Sequence, residues 1–431
     1  MQTNKLQFII IGGAIIIVII AVLIVTGTVP GLKTGGEGGA SITMWGFDDE
    51  AALRDLVLKY AEFHQNFDVR YSKKSLANFE SDFLNAIARG EAPDIVVFPS
   101  DYLKKHKDKL STAPAILFTE REISQQYIEA ASAFLGTKKE VLGAPFYAYP
   151  LALFINNDLF TKDFIASPPK TWDEFLNDAA KLTKKDSSGN IVISGAALGR
   201  AWNIQNAPLI LTTLFLQAGE KIINDSGEVA LNEPLNIGEV TLHPAESSLQ
   251  FMTDFANPKK NSQSWSGALP EAKDAFINGE LAMYFGKISE YNEIKNKNAH
   301  LSFSVALLPQ LAGAQRPVTG GEIFALAVPK ASQKQTQAWQ FIQFLSSAEN
   351  SASYADKTGN VSTRRDVLPI YQKESTRSVF ANSVLALKLW PNPDPELTDK
   401  IFRTLIEDMA VGRFTLRDSL EKAKARLMEL K

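Results

Sequence analysis

Side chains with reactive chemistry are few and scattered in this sequence. The four histidines, His64, His106, His243 and His300, stand alone, with no H-E-x-x-H pair and no second histidine at ligand spacing, so each reads as a surface or core residue. Cysteine is absent, which excludes a disulfide framework, thiolate metal sites, an iron–sulfur cluster, a cysteine nucleophile and a lipid-bearing N-terminal cysteine. No G-x-S-x-G elbow and no dinucleotide fingerprint after a strand is present. The carboxylate pair Asp48-Asp49 could serve acid–base work, but helix capping accounts for it equally well. Lys104-Lys105-His106-Lys107, flanked by Asp101 and Asp108, reads as a solvated helix face. Binding chemistry is better represented. Trp45, Phe47, Tyr147, Tyr149, Trp202, Trp265, Phe285 and Trp390 fall at strand ends and in loops beside Asp, Asn and Ser. An aromatic face stacks on the C–H face of a polyhydroxylated solute while polar neighbours bond its hydroxyls. The plainer reading of each ring is core packing. Trp172 and Trp339, inside helical repeats, take it outright; for Trp45 and Trp202 both readings stand.

These residues need a scaffold, and the apolar patterning supplies one. Ile42 to Trp45 predicts a strand, and Leu53, Leu56, Val57, Tyr60 and Phe63 a helix whose N-terminus the acidic loop Asp48-Asp49 would cap. A β-prone stretch around Val69 and Tyr71 follows, then a helix through Phe79, Phe83, Leu84 and Ile87 stopped by Gly90. Next comes the wholly apolar strand Ile95 to Phe98. This alternation predicts a doubly wound α/β lobe with Trp45 to Asp49 and Ser100-Asp101 beyond the carboxyl ends of its strands, where ligands bind in such sheets. A second α/β series starts near Gly143, with a capping box at Thr171 and Glu174, strands at Ile191 to Ile193, Leu281 to Phe285, Ser302 to Leu308 and Ile323 to Val328, and helices to the end of the chain. Residues 225–265 carry more turns and polar residues than such a fold requires.

The 431 residues, 45% hydrophobic with a net charge of −3, suit two or three domains and make a poor nucleic-acid binder. Eighteen unbroken apolar residues, Phe8 to Val25, would form a helix about 27 Å long, close to the bilayer's hydrocarbon thickness. With Lys5 on its N-terminal side and no A-x-A cleavage site, this run reads as a transmembrane anchor with residues 1–7 cytoplasmic and the remainder outside. A cleaved secretory signal and a core helix are the other readings. Residues 26–40, rich in glycine, read as a flexible tether.

The order of the segments resembles the extracellular solute-binding proteins of ABC importers, the maltose-type or family 1 group. The marks are Ile42-Thr-Met-Trp45 with its acidic loop; Ala92-Pro93-Asp94-Ile-Val-Val; Gly143-Ala-Pro145 to Asn156-Asn157-Asp158-Leu159-Phe160; Pro168-Pro-Lys-Thr-Trp-Asp-Glu-Phe175; Ala275-Phe-Ile-Asn-Gly-Glu-Leu-Ala-Met283; Leu308-Pro309 leading to Gly320-Gly321; and Gly359-Asn-Val-Ser-Thr-Arg-Arg-Asp366. The resemblance implies an α/β, two-lobed periplasmic-binding-protein fold, type II-like, after one N-terminal transmembrane helix. Residues 41–148 with 305–347 would form the first lobe and 149–304 with 348–431 the second, with crossings near Tyr147 to Tyr149, Ser304 to Leu308 and Ser346 to Glu349. It also implies a ligand site at Trp45, Phe47, Asp49, Ser100, Asp101, Tyr147, Tyr149, Trp202, Asn203, Phe285, Lys287, Gly320, Gly321, Glu322 and Trp390. Lys287 stands where sugar binders often carry an aromatic, which would suit an acidic or phosphorylated group. The implied function is capture of a small solute, a carbohydrate first, and its delivery to permease subunits and their ATPase by a monomer without cofactor, metal or catalysis. A peptide or sensor module on the same fold and an anchored glycan-active enzyme are the rival readings.

Overall fold

The computed structural model describes residues 41–430. The expected anchor and tether, residues 8–25 and 26–40, lie outside the described residues. Among those described, no helix is long and apolar enough to cross a membrane.

Strand β1 (Ser41–Gly46) buries Ile42 and Met44 on one face and pairs in parallel with β2 (Asp68–Lys73) and β3 (Ile95–Pro99). Helices Ala51–Ala61 and Phe79–Arg89 make the crossovers between them, as the alternation predicts. The second ends at Gly90 in the left-handed region (φ 72°), which glycine adopts without a Cβ penalty. The next strand, β4 (Ala144–Asn156), merges the aromatic stretch and the apolar stretch of the sequence into one continuous element. Beyond it come β5 (Lys184–Lys185), β6 (Ile191–Ala196), a small hairpin of β7 (Leu235–Ile237) and β8 (Val240–Leu242), β9 (Leu281–Lys287), β10 (Phe303–Ala306), β11 (Gly321–Ala327) and the short β12 (Val361–Ser362). The main sheet runs in the order β2-β1-β3-β11-β4-β9-β6-β5, with β10 and β12 also on β4.

The two halves of β4 serve different lobes. Ala144 to Pro150 pairs with β11 and β12, which continue into β3, β1 and β2; Leu151 to Asn156 pairs with β9 and β10. The chain therefore passes from one lobe to the other along a single strand, changing partners at Pro150. Its return comes later than expected. Residues 307–319 stay with the second lobe, where Gln217 donates to the carbonyls of Pro309 (3.1 Å) and Val318 (2.8 Å), and the crossing falls at Gly320-Gly321. A Cβ at Gly320 would meet Thr213 Oγ1 at 2.3 Å, and one at Gly321 would meet the Tyr149 carbonyl oxygen at 2.5 Å. Two side-chain-free residues are what allow the joint to pack this closely.

A third boundary also moves. Residues 348–362, expected in the second lobe, pack on the first: Glu349 pairs with Lys59 (2.6 Å), Lys357 with Asp55 (2.5 Å), and Val361 and Ser362 lie beside Ala148 and Tyr147. Only from helix Ser375–Leu385, whose Phe380 packs on Phe154 (6.1 Å), does the chain rejoin the second lobe. The shift is understandable, because polar sequence at a helix–helix turn such as Ser346-Ser347 looks the same whether the chain crosses a hinge or merely reverses. The capping box predicted at Thr171 and Glu174 is formed, whereas no side chain caps the helix at Ala51.

Candidate functional site

The lobe junction concentrates titratable side chains. Lys287 ends β9 opposite Leu151, and Glu322 lies near the start of β11 opposite Tyr149, so strands on opposite edges of β4 present them to each other. Lys287 Nζ donates to Glu322 Oε1 at 2.7 Å, with both side chains largely buried. Burial alone would lower the lysine pKa, but the carboxylates around it, Glu322 first and then Glu290 and Asp101, outweigh it and hold the ammonium above its ordinary value. The other oxygen, Glu322 Oε2, is buried and accepts no hydrogen bond from the described residues. Asp101 faces the same pair. Burial and then the Glu322 charge push its carboxyl up to about 7, against the pull of Lys287 and Ser100. Ser100 is spoken for, because its hydroxyl accepts from the Ile323 amide (3.0 Å) and ties the end of β3 to β11.

The end of β9 is held from behind. Glu290, in helix Ile288–Lys297, accepts from Tyr284, from Asn206 Nδ2 (3.1 Å) and from the Lys287 amide (3.3 Å), while Asn206 also donates to the Phe285 carbonyl (3.0 Å). Each partner of this buried network is satisfied, so the direction in which Lys287 emerges is fixed.

Two adjoining cavities open over this floor. The larger, about 850 Å³, runs between Ser100 to Lys107 with Glu129 to Leu135 of the first lobe and Arg316 to Val318 with Leu385 to Asn392 of the second. The smaller, about 160 Å³, reaches down to Lys287, Gly320, Gly321, Glu322 and Asn206, and both share Asp101, Lys388 and Trp390. Trp390 is half-buried and meets Phe402 edge to face, ring centres 6.1 Å apart. Across the mouth, Lys105 of the first lobe pairs with Asp394 of the second at 2.6 Å and also with Glu80 at 2.6 Å. Burial raises Asp394's carboxyl, yet the Lys105 hydrogen bond and charge together with the backbone amides of Leu397 and Glu396 outweigh it and leave the group below its ordinary value.

Of the residues the sequence singled out, Ser100, Asp101, Lys287, Gly320, Gly321, Glu322 and Trp390 line these cavities. Phe47, Tyr147 and Tyr149 gather instead around buried Phe324 at ring distances of 5.6, 4.8 and 4.8 Å. Phe285 is buried against Phe175 and Trp172. Trp45 lies within β1, not in a loop, with the Lys74 ammonium 4.0 Å from its ring centre. Asp49 points outward (side chain 85% exposed) towards Lys73; its neighbour Asp48 turns inward to accept from Tyr354 (2.7 Å) and Asn360 (3.1 Å). Asn203 is consumed by structure, donating to Ser266 and Leu269 and accepting from buried Trp265, while Trp202 beside it is 61% exposed and lines neither cavity. Missed altogether were Asn206, Arg316 and Lys388, for which no local pattern exists, and Lys104 and Lys107, dismissed as a solvated face.

This topology has clear counterparts. The chain superposes on a cyclo/maltodextrin-binding protein complexed with maltotetraose with a TM-score of 0.74, at 18% identity, covering 92% of this chain and 98% of that one. A solute-binding protein of an ABC transporter from Thermotoga lettingae, bound with alpha-D-tagatose, gives a TM-score of 0.70 at 20% identity, covering 91% and 100%. In sequence, the sn-glycerol-3-phosphate-binding periplasmic protein of Escherichia coli strain K12 is 25% identical over 244 residues, 54% of this chain and 52% of its own length. The two-lobed α/β solute-binding fold is thereby shared. The model of the bacterial extracellular solute-binding proteins matches residues 55–379, and the chain belongs to that family.

Proposed function

We propose that this chain captures a hydroxylated small solute, a carbohydrate, in the cleft between its lobes and delivers it to the permease and ATPase of an ABC importer. Residues 8–25 would hold it to the membrane with the N-terminus cytoplasmic and residues 26–40 as the leash, so that tethering raises its effective concentration at the permease. The observation that carries this reading is the pair of adjoining cavities walled by both lobes, the smaller reaching the crossing at Gly320 and Gly321, with Trp390 and Asp101 lining both and Glu322 lining the smaller. Rings of a sugar stack on the indole; its hydroxyls donate to the carboxylates that line the cavities.

The working cycle involves no bond making. A solute that touches both lobes binds the closed form better than the open one, and that difference in affinity is what shifts the hinge. Lys105 and Asp394 already meet across the mouth, so closure has a partner contact independent of solute. Thermal-shift screening of the full chain against sugars, sugar phosphates, polyamines and peptides tests the reading. A saccharide should raise the melting temperature by several degrees; stabilisation by a peptide or polyamine with none by any saccharide overturns it.

A further inference from the structure

Four cations line the larger cavity without a counter-ion among the described residues. Lys104 and Lys107 come from the first lobe, Arg316 and Lys388 from the second, and all four are exposed. Their neighbours in the chain behave differently: Lys105 is paired with Glu80 and Asp394, and Lys109 with Asp108. None of the four makes an ion pair within the described residues. The acidic groups on the same walls are Glu129 and Asp101, two carboxyls against four cations, and burial with the Glu322 charge pushes the Asp101 carboxyl up from its ordinary value. Lys287 adds nothing, because Glu322 neutralises it. The cleft therefore has a floor rich in acceptor oxygens and a rim of excess positive charge contributed from both sides.

Closing such a cleft when it is empty brings like charges together across a partly desolvated gap, where their interaction is stronger than in bulk water. An anion seated between them reverses the sign of that term. It thus has the differential affinity for the closed form that a hinge needs, and it engages both lobes at once. Arg316 adds geometry, since a guanidinium can take a carboxylate or phosphate with two parallel hydrogen bonds.

We infer that the solute of this cleft is an acidic carbohydrate, a sugar chain whose carboxylate or phosphate groups sit between Lys104 and Lys107 on one side and Arg316 and Lys388 on the other while its hydroxyls reach Asp101 and Glu322. The inference rests on the carbohydrate reading above and narrows it. The cavity of about 850 Å³ is at the large end for a small-molecule site and has room for several rings.

Calorimetric titration of the full chain in a non-ionic detergent separates the cases, with trigalacturonate as carboxylate probe, glucose 6-phosphate as phosphate probe and maltotriose as neutral probe. Trigalacturonate or glucose 6-phosphate should bind at least about tenfold more tightly than maltotriose, and the advantage should shrink as salt is added. Which of the two binds better assigns the anionic group. Replacing all four cations (Lys104→Gln, Lys107→Gln, Arg316→Gln, Lys388→Gln), exposed positions that leave the melting temperature in place, should abolish the preference and its salt dependence. Equal or tighter binding of maltotriose, or a preference that survives in the quadruple variant, overturns the inference and leaves the carbohydrate reading standing. Failure of every saccharide, charged or neutral, overturns that reading and the inference with it.

Discussion

Two half-buried carboxylates near the first lobe's strand ends, Asp48 and Asp101, follow from adjacent features of the sequence and meet opposite fates. Burial raises both above the ordinary carboxylate value. Asp48 is then answered within the lobe: Tyr354 and Asn360 donate to its side chain, and Tyr71 donates to its backbone carbonyl at 2.7 Å. Asp101 sits with Glu322, whose second oxygen has no donor, over a cavity that reaches solvent. The first carboxylate is answered by donors of its own lobe; the second faces the cavity. Buried polar groups that a protein leaves unanswered are costly, and a site that a solute completes is a common reason to keep them.

The sharpest test of this contrast is Glu322→Ala, which strands the buried Lys287 ammonium. We expect a stability loss of about 3 kcal/mol in denaturant unfolding, largely recovered when Lys287→Met is added, together with loss of solute binding. Asp48→Ala should cost about 2 kcal/mol by orphaning the Tyr354 hydroxyl and the Asn360 amide, yet change solute affinity less than twofold. If Asp48→Ala abolishes binding at unchanged stability, the two clusters have been assigned the wrong way round. Trp390→Ala should weaken saccharide affinity by about 1 kcal/mol in calorimetry with little change in melting temperature.

Acidity offers a finer cut. A raised carboxyl pKa means that the folded chain keeps a proton which the unfolded chain has released. Stability should therefore fall as pH rises from the ordinary 3.8 towards about 7 and level off above it. Asp101→Asn should flatten part of that slope. A remainder of the same sign should persist from Glu220, likewise pushed up to about 7 by burial where it accepts from the amides of Asn232 and Ala245. The smallest effect belongs to Lys105→Gln: the partly exposed link to Asp394 should be worth less than about 1 kcal/mol, and its loss should show as a wider spread of lobe separations.

Much of the scaffold is legible in the sequence because its signals are local. The alternation in β1, the apolar run of β3 and the box at Thr171 and Glu174 each depend on residues a few positions apart. Where the chain crosses between lobes is not local. Nothing in Leu307 to Thr319 or in Ala348 to Ser362 tells which lobe will bury it, so those boundaries shift. The site divides in the same way. Asp101 is found because the topology puts strand ends at the cleft, whereas Lys287 and Glu322 come only from the family resemblance. Arg316 and Lys388 come from connecting segments whose position is set only by tertiary packing. Aromatic residues mislead for a related reason: a ring suits a sugar and a core equally, and Phe47, Tyr147 and Phe285 take part in the core. The turn at Asn224 to Glu228, in a stretch the sequence leaves without a role, approaches the rim, with Gly227 near Lys104.

The central claim is that a saccharide binds between the lobes and draws them together. Because the chain has no cysteine, Lys138→Cys on the first lobe and Ser226→Cys at the mouth of the second provide two unique spin-label sites. Pulsed electron resonance on the labelled full chain should show the distance between them shorten and its distribution narrow when the stabilising saccharide is added. Tight binding of that saccharide with the distance distribution unchanged would contradict the account.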